Sequence, residues 1–311
     1  MKNLILTGAT SMIGAAIVKE ALARNMGVAA VIRGDSPRMD NLGGLMNHQN
    51  LRVIECDIHD YKNLVFDAGY YAFIHLAWQS TGVDFRDDVY AHVNNITYTL
   101  DAVHAAHRAG CNAFVSAGSQ AEYGLVSEKL SGDTVCNPES GYGVAKYAAG
   151  KMARLAASQL GIRYCHTRIL STYGEGMDGK SLVIYLIKTL LKGEKPSLTK
   201  CEQIWDFMYA RDTARAMLAA AENGVDGKTY PIGSGNAKTL REYVEMIRDI
   251  INPSIEIGFG EKEYYPHQPM FLCADINELR NDTGFEPATG FEDGIRMTAD
   301  WVKSRLEENR I

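Results

Sequence analysis

The chain has 311 residues, enough to bury a large core, and this length predicts two lobes or domains. A hydrophobic content of 46% and a charged content of 23% are typical of a soluble protein, and no run approaches the ~20 apolar residues of a membrane span. The net charge of −6 argues against nucleic acid or an anionic membrane as a partner.

The cysteines and the N-terminus predict a cytoplasmic protein. The six cysteines are scattered without a Cys-x-x-Cys pair, which indicates reduced thiols and neither a metal site nor a disulfide framework. Lys2 and Asn3 lead directly into an apolar run, so the N-terminus does not resemble a signal peptide.

A glycine-bearing turn follows the first predicted strand. Residues 4–6 are apolar, residues 7–14 form the turn, and residues 15–24 have helical periodicity. This order is the context of a dinucleotide-binding turn, in which N–H groups at the helix start face a pyrophosphate. One departure is Ser11, which stands where a middle glycine is usual. The residues expected to contact the cofactor are Gly8, Thr10, Ser11, Met12, Ile13 and Gly14.

A basic residue ends the second predicted strand, residues 28–32. In dinucleotide-binding folds an acidic residue at this place binds the ribose 2′-hydroxyl, whereas an arginine accommodates a 2′-phosphate. Arg33 holds the position and Arg38 follows, which predicts NADP(H); a solvated basic loop is the alternative. Asp35 lies beyond a glycine and is expected to point to solvent.

Strands and helices alternate through the first half of the chain. Predicted strands at 51–56, 71–75, 114–116 and 162–170 alternate with helices at 87–108 and 142–160. This order predicts an α/β fold with a doubly wound parallel (Rossmann) sheet joined by right-handed crossovers. Ligands bind at the carboxyl ends of such strands, so residues that follow them are further cofactor candidates: Asp57, Ile58, Leu76, Ala77 and Trp78.

Tyr142 and Lys146 lie four residues apart on a predicted helix, so both side chains project from one face. An ammonium beside a phenol lowers the phenol pKa, which would give an acid/base able to work near neutral pH. Tyr147 and Lys151 repeat the spacing, but they lie one turn deeper among alanines, where a packing role is favoured. Tyr142 follows the break at residues 138–141 and is therefore the stronger candidate.

In the second half of the chain, strands and helices no longer alternate regularly. Helices are predicted at 181–191, 210–221, 240–251 (capped by Thr239) and 291–306, with a strand-like segment at 204–209. We expect residues 1–170 to form the dinucleotide-binding domain. Residues 171–311 are expected to form a smaller α/β substrate-binding lobe, with segments around 204–235 returning to the first domain.

In this order, the turn at 7–14, Ser119 and the Tyr142/Lys146 pair resemble the extended short-chain dehydrogenase/reductases. More narrowly, the whole chain resembles the NAD-dependent epimerase/dehydratase family, which acts on nucleotide-linked sugars. Additional pieces that carry the resemblance are His75-Leu76-Ala77, Asn95 with Thr99, Ser119 four residues before Tyr123-Gly124, and Arg168 ahead of Tyr173-Gly174.

The resemblance implies roles for three catalytic residues. Tyr142 would exchange a proton with a sugar oxygen while a hydride moves to or from the nicotinamide, and Ser119 would hydrogen-bond the same oxygen. Lys146 would bind the nicotinamide ribose and lower the pKa of Tyr142. Asn95 and Ile169 are further cofactor residues that the resemblance implies.

Two departures from the family pattern reduce the number of candidate reactions. The family's 4,6-dehydratases carry an acidic pair just after the catalytic hydroxyl residue, where this chain has Gln120 and Ala121. The fucose-synthase type uses a Cys and a His, but Leu182 stands where the histidine would align and no cysteine closely follows Ser119. Simple 4-ketoreduction and 4-epimerisation remain.

The substrate side departs further from the family. Relatives carry an arginine before an Asp-aromatic pair to bind the substrate diphosphate, and this chain has Trp205 there. Trp205 would stack on a base or belong to the core; Arg211 or Arg241 could replace the arginine. The residues expected to contact substrate are Gln79, Ser119, Gln120, Ser171, Gln203, Trp205 and His267.

The sequence therefore predicts an NADP(H)-dependent reductase of a 4-keto nucleotide-linked deoxysugar. An NAD-dependent nucleotide-sugar 4-epimerase is the alternative, and a non-catalytic dinucleotide-binding protein is a minor one. A homodimer is expected through the helices at 87–108 and 142–160, where small alanines would permit close approach; the same alanines could instead pack on the protein's own sheet.

Overall fold

The computed structural model describes residues 2–67, 69–177, 179, 181–265 and 268–308. At its centre is a seven-stranded parallel sheet in the order β10-β6-β5-β4-β1-β2-β3. Its strands are β1 (Asn3–Thr7), β2 (Gly27–Ile32), β3 (Leu51–Glu55), β4 (Ala72–His75), β5 (Ala113–Ser119), β6 (Arg163–Ile169) and β10 (Thr229–Ile232). The predicted doubly wound α/β fold is confirmed.

Helices cover both faces of this sheet. They are α1 (Met12–Ala23), α2 (Val89–Arg108), α3 (Gly141–Gln159) and α5 (Ala210–Asn223). Strand side chains alternate between the faces, so Leu4 and Leu6 pack with α1 and α5, while Ile5 packs with α2 and α3. Both faces of the inner sheet are buried, which explains why β1, β2 and β4 are almost continuously apolar.

A smaller helical layer follows in the second half of the chain. It consists of α4 (Leu182–Leu191), α6 (Leu240–Ile251) and α8 (Phe291–Glu307), whose apolar faces form one cluster. Thr239 caps α6 as predicted, accepting from the Glu242 N–H while the Glu242 carboxylate accepts from the Thr239 N–H. The division at residue 170 stays a prediction, although β10 joins the edge of the main sheet beside β6. Within the described ranges, no helix is long and apolar enough to cross a membrane.

The predicted strand at 204–209 is two short strands in different sheets. β8 (Ile204–Trp205) pairs with β11 (Lys238–Thr239), and β9 (Phe207–Tyr209) pairs with β7 (Ser171–Tyr173). Asp206 separates them because its buried carboxylate accepts from the N–H groups of Ser234, Gly235 and Ala274. Sequence periodicity also missed a short helix, α7 (Asn277–Thr283).

Asp206 should therefore matter to stability. Asp206→Asn replaces one acceptor oxygen by an NH₂ group and can leave a buried N–H donor such as that of Ala274 without a partner, which costs about 1–3 kcal/mol. We expect a clear fall in the calorimetric unfolding temperature. Asp67→Asn is the control, because Asp67 is 85% exposed and bonds only Arg52 at the surface. Equal unfolding temperatures for the two variants would contradict the assignment.

Candidate active site

The carboxyl ends of neighbouring strands meet at one edge of the main sheet. Thr7 of β1 is in register with His75 of β4, which is in register with Ser116 of β5. A cleft of about 360 Å³ opens beyond this edge. Among the residues that line it are the predicted cofactor residues Gly8, Thr10, Ser11, Arg33, Arg38, Asp57, Ile58, Leu76, Ala77 and Trp78.

The turn after β1 has the close packing that a dinucleotide site requires. Gly8 has φ +70°, and a Cβ there would lie 2.9 Å from the Ala77 N atom. A Cβ on Gly14 would lie 2.3 Å from the Gly8 carbonyl oxygen. Ser11 departs from the usual glycine because it is the N-cap of α1, accepting from the Gly14 N–H at 3.0 Å. The turn therefore fits a bound pyrophosphate.

Arg33, at one end of the cleft, forms an ion pair with Asp35. The Arg33 Nε lies 2.6 Å from the Asp35 Oδ1, and both side chains are more than half exposed. The Asp35 side chain is 81% exposed, in agreement with the expectation that it points to solvent, and it also pairs with Arg33. The hydroxyls of Thr10 and Ser36 are 2.9 Å apart, joining the glycine turn to the segment after β2. Ser36 and Arg38 line the cleft beside Arg33.

Lys146 is buried beneath Trp78. Its Nζ donates to the Ala117 carbonyl oxygen at 2.9 Å and lies 3.8 Å from the centre of the indole ring. Burial lowers the pKa of Lys146 to about 7 against the opposing charge of Glu122. One ammonium hydrogen bond is thus fixed by the protein, which leaves the remaining donors for a ligand.

Tyr142 lies in the first turn of α3, as predicted, and lines a second pocket of about 250 Å³. The pocket also contains Ser119 from the end of β5, together with Arg86. The expected lowering of the Tyr142 pKa by Lys146 is not found. Burial raises the pKa of Tyr142, while the nearby Ser119 hydroxyl and Arg86 oppose the rise. The sequence argument had counted the neighbouring charge but not the burial.

The second Tyr-x-x-x-Lys pair lies elsewhere. Tyr147 and Lys151 border a small cavity of about 20 Å³, together with His166 and Arg168. The Lys151 Nζ is 5.3 Å from the centre of the Tyr147 ring. Tyr142 lines the pocket of Ser119, and Lys146 lies against Trp78, which lines the larger cleft, whereas neither Tyr147 nor Lys151 is among the described residues that line either pocket. The Tyr142/Lys146 pair therefore remains the catalytic candidate.

Other predicted cofactor residues are not among the described residues that line the cleft. Met12 lines a different cavity, between α1 and the end of α8. Ile13 and Ile169 pack against the apolar core on one face of the sheet. Asn95 is buried, and its Oδ1 accepts from the Gln79 N–H at 2.7 Å, so it fixes the loop after β4.

The predicted substrate residues are dispersed. Gln79 lines the cofactor cleft, Gln120 lies in a 3₁₀ turn after Ser119, and Ser171 begins β7. Trp205 packs in two apolar clusters, which favours the core alternative. His267 lies outside the described residues.

Gln203 has a feature that points to a ligand. The side chain is buried, and its Oε1 has no hydrogen-bond partner among the described residues. A buried, unpartnered acceptor is uncommon in folded proteins.

Sequence reasoning missed two charged features. Arg86 follows a 3₁₀ turn at Val83–Phe85, and its carbonyl oxygen accepts from the Tyr142 N–H at 2.9 Å. Glu122, His166 and Arg168 form a buried cluster behind Ser119. Local sequence patterns could not place these residues together, because His166 and Arg168 lie 44 and 46 residues from Glu122. Throughout the described ranges, no group of three or more His, Cys, Asp or Glu side chains could hold a metal ion.

Known proteins are similar to this chain in sequence. Residues 4–233 match the model of the NAD dependent epimerase/dehydratase family. The chain is 25% identical to the dTDP-4-dehydro-6-deoxyglucose reductase of Escherichia coli over 309 residues, covering 94% of this chain and 95% of that enzyme.

Solved structures extend the similarity to the fold. A UDP-N-acetylglucosamine 4-epimerase of Methanobrevibacter ruminantium M1, in complex with UDP-N-acetylmuramic acid, has a TM-score of 0.88 at 25% identity. The similarity covers 98% of this chain and 99% of that one. A UDP-glucuronic acid 4-epimerase of Bacillus cereus, solved with its substrate and NAD, has a TM-score of 0.85 at 23% identity, with coverages of 97% and 99%.

A parallel sheet with a glycine turn facing a cleft at its carboxyl edge defines a dinucleotide-binding protein of the Rossmann class. Because the family model matches about three quarters of its length, the chain belongs to the NAD-dependent epimerase/dehydratase family. The resemblance expected from the sequence is confirmed.

We propose Tyr142 as the proton-transferring residue. Tyr142→Phe should lower turnover by about 10²–10⁴-fold, the usual contribution of general acid–base catalysis, and leave the dissociation constant of the cofactor nearly unchanged. Tyr147→Phe is the matched control and should retain turnover, because Tyr147 borders a separate cavity. Steady-state kinetics and cofactor titration of both variants test this, and equal losses would remove Tyr142 from the role.

Proposed function

We propose that this protein is an NADP(H)-dependent oxidoreductase that reduces the 4-keto group of a nucleotide-linked sugar. The observation that carries the proposal is the continuity of the two pockets. Ser80 and Thr81 line both of them, so the cleft that contains Arg33 and Arg38 leads directly to the pocket of Ser119 and Tyr142.

Each catalytic candidate has a defined task in this reaction. The bound dihydronicotinamide would supply the hydride. Tyr142 would donate its phenolic proton to the sugar oxygen as negative charge develops there, and Ser119 would donate a hydrogen bond to the same oxygen. Lys146, already held by the Ala117 carbonyl, has N–H donors left for ribose hydroxyls.

Dehydration is disfavoured by the residues after Ser119. The only carboxylate in the turn Gln120–Glu122 belongs to Glu122, which is fully buried and paired with His166 and Arg168. The Glu122 carboxylate is therefore not accessible to a substrate. A reductase is also consistent with the Escherichia coli relative, which matches nearly the whole chain.

A 4-epimerase that retains NAD is the second candidate. The observation in its favour is the Arg33–Asp35 pair, since Asp35 both competes for Arg33 and offers an acceptor to a free ribose hydroxyl. An exposed pair of this kind contributes about 0–1 kcal/mol, whereas a charge-assisted bond to a phosphate contributes about 1.5–3 kcal/mol. Because the bond to a 2′-phosphate is the stronger of the two interactions, the comparison supports NADP(H).

Cofactor preference tests this reasoning. One charge-assisted bond from Arg33 to the 2′-phosphate corresponds to a roughly ten- to hundredfold tighter binding of NADP(H) than of NAD(H). Arg33→Asp should reverse the preference, and Arg38→Ala should weaken NADP(H) alone. Asp35→Asn frees Arg33 and should strengthen NADP(H) binding. Arg52→Asp is the control, because this exposed arginine pairs with Asp67 away from the cleft.

Calorimetric titration of both cofactors measures these effects, and mass spectrometry of nucleotide released from freshly purified protein complements it. Equal affinities for the two cofactors, together with tightly retained NAD, would overturn the Arg33 argument and favour the epimerase.

We also propose a homodimer through α2 and α3, on a different argument from the sequence-based one. Ala145, Ala149 and Ala153 are buried within the protomer, so they are not available to a partner. The same two helices instead expose apolar side chains to solvent: Tyr90 (86% exposed), Val93 (55%), Val144 (52%), Met152 (44%) and Leu155 (65%). Large exposed apolar residues gathered on a helix pair favour a protein partner, and a two-fold contact uses the same surface twice.

Leu155→Glu should dissociate this dimer, because a two-fold axis brings a desolvated carboxylate into the interface twice. Sedimentation velocity at micromolar concentration should then change from dimer to monomer. Val135→Glu is the control, since Val135 is 83% exposed on a loop outside both helices. A monomeric parent protein would contradict the proposal.

A further inference from the structure

We propose that Glu122 is a positioning residue that holds Ser119 in place and sets a fixed negative charge behind Tyr142 and Lys146. This inference rests on the proposed function. Glu122 is not among the residues that carry the family resemblance.

The contacts of Glu122 join the catalytic serine to the neighbouring strand. Its Oε1 accepts from the backbone N–H of Ser119 at 2.8 Å. Its Oε2 accepts from the Arg168 Nε and the His166 Nε2, each at 2.9 Å. The Ser119 hydroxyl in turn accepts from the Ala121 N–H, so serine and glutamate close the 3₁₀ turn reciprocally.

Two glycines pack so closely against Glu122 and His166 that a side chain at either position would clash with this pair. A Cβ on Gly118 would lie 2.3 Å from the Glu122 Oε1 and 2.4 Å from the His166 Nε2. A Cβ on Gly150 of α3 would lie 2.6 Å from the His166 Cε1. On its other side, the His166 Nδ1 is 2.7 Å from the Ser116 hydroxyl. The imidazole is thereby fixed between β5, β6 and α3.

Glu122 remains ionised in this environment. Burial opposes its charge, but His166 and Arg168 outweigh that effect and lower its pKa to about 2. The charge acts in turn on the catalytic pair. It raises the pKa of Lys146 against the lowering caused by burial, and it adds to the rise that burial causes in the pKa of Tyr142.

The remaining charged and titratable groups near Glu122 come from β6, from α3 and from the chain that follows the 3₁₀ turn, where Tyr123 and Cys136 lie. β6 contributes Tyr164 in addition to His166 and Arg168, and the outer face of α3 contributes Tyr147, Lys151 and Arg154 around the small cavity. Glu122 is the acid within this set. Its replacement therefore removes the local negative charge that faces Tyr142 and Lys146.

The test compares Glu122→Gln with the parent enzyme under the same conditions. Gln offers one acceptor oxygen, which the Arg168 guanidinium attracts, so the NH₂ group then opposes the Ser119 N–H. We expect kcat to fall about 10–100-fold because Ser119 loses its alignment, while the KM for the cofactor stays unchanged. The pH profile of kcat should shift to lower pH, since the negative charge that raises both pKa values is gone. A purely structural loss of stability would not move this profile.

Two further variants separate positioning from charge. Glu122→Asp keeps the charge but withdraws the carboxylate by one methylene, so kcat should fall without the shift in pH profile. In a Ser119→Ala background, with each variant measured at its own pH optimum so that the charge effect on Tyr142 and Lys146 is removed, Glu122→Gln should cause no additional loss of kcat, because a positioning residue acts through the residue it positions. Additive losses would overturn the proposal.

A measurement without turnover separates this inference from the proposed function. In selectively ¹⁵N-serine-labelled protein, the Ser119 amide should exchange with solvent at least tenfold faster in the Glu122→Gln and Glu122→Asp variants, while core amides keep their protection. Unchanged Ser119 exchange together with an unchanged pH profile refutes the role of Glu122. If the parent protein reduces no 4-keto nucleotide sugar, the proposed function fails, and the exchange measurement still tests Glu122.

Discussion

The parallel pairing of β1, β4 and β5 is the constraint on which the rest of the structure depends. It sets Thr7, His75 and Ser116 side by side, so the segments that follow each strand emerge at one edge. A buried hydrogen bond of 2.8 Å between the Thr7 hydroxyl and the His75 Nδ1 reinforces this alignment. Burial lowers the pKa of His75 to about 3, so the imidazole is neutral and can accept or donate without introducing a charge.

The carboxyl edge of the sheet is organised by buried charges rather than by exposed ones. Lys146 is enclosed by Trp78 and the Ala117 carbonyl, and Glu122 is enclosed by Arg168 and His166. Each charge has fixed partners, which keeps the side chains in one arrangement before a ligand arrives. Such preorganisation reduces the reorganisation needed at the moment of reaction. With a pKa near 7, Lys146 is sensitive to any change in the surrounding charge.

Local sequence patterns predicted the local features of this site. The turn at Gly8, the position of Tyr142 in the first turn of α3 and the Thr239 cap all depend on residues a few positions apart. Features that depend on contacts distant in sequence were not predictable. Glu122 and His166 are 44 residues apart, and Asp206 and Ala274 are 68 apart. The pKa of Tyr142 was misjudged for the same reason, because burial is a property of the whole fold.

The proposed reductase would use the hydride of NADPH at the sugar C4, with the sugar held in the pocket of Ser119 and Tyr142. The most direct measurement uses NADPH that carries deuterium at the transferable nicotinamide position, mixed with a 4-keto nucleotide sugar. The account predicts one deuterium at C4 of the product for each NADPH consumed. Conversion of a 4-hydroxyl nucleotide sugar to its epimer, with no deuterium incorporated and no external cofactor consumed, would contradict it.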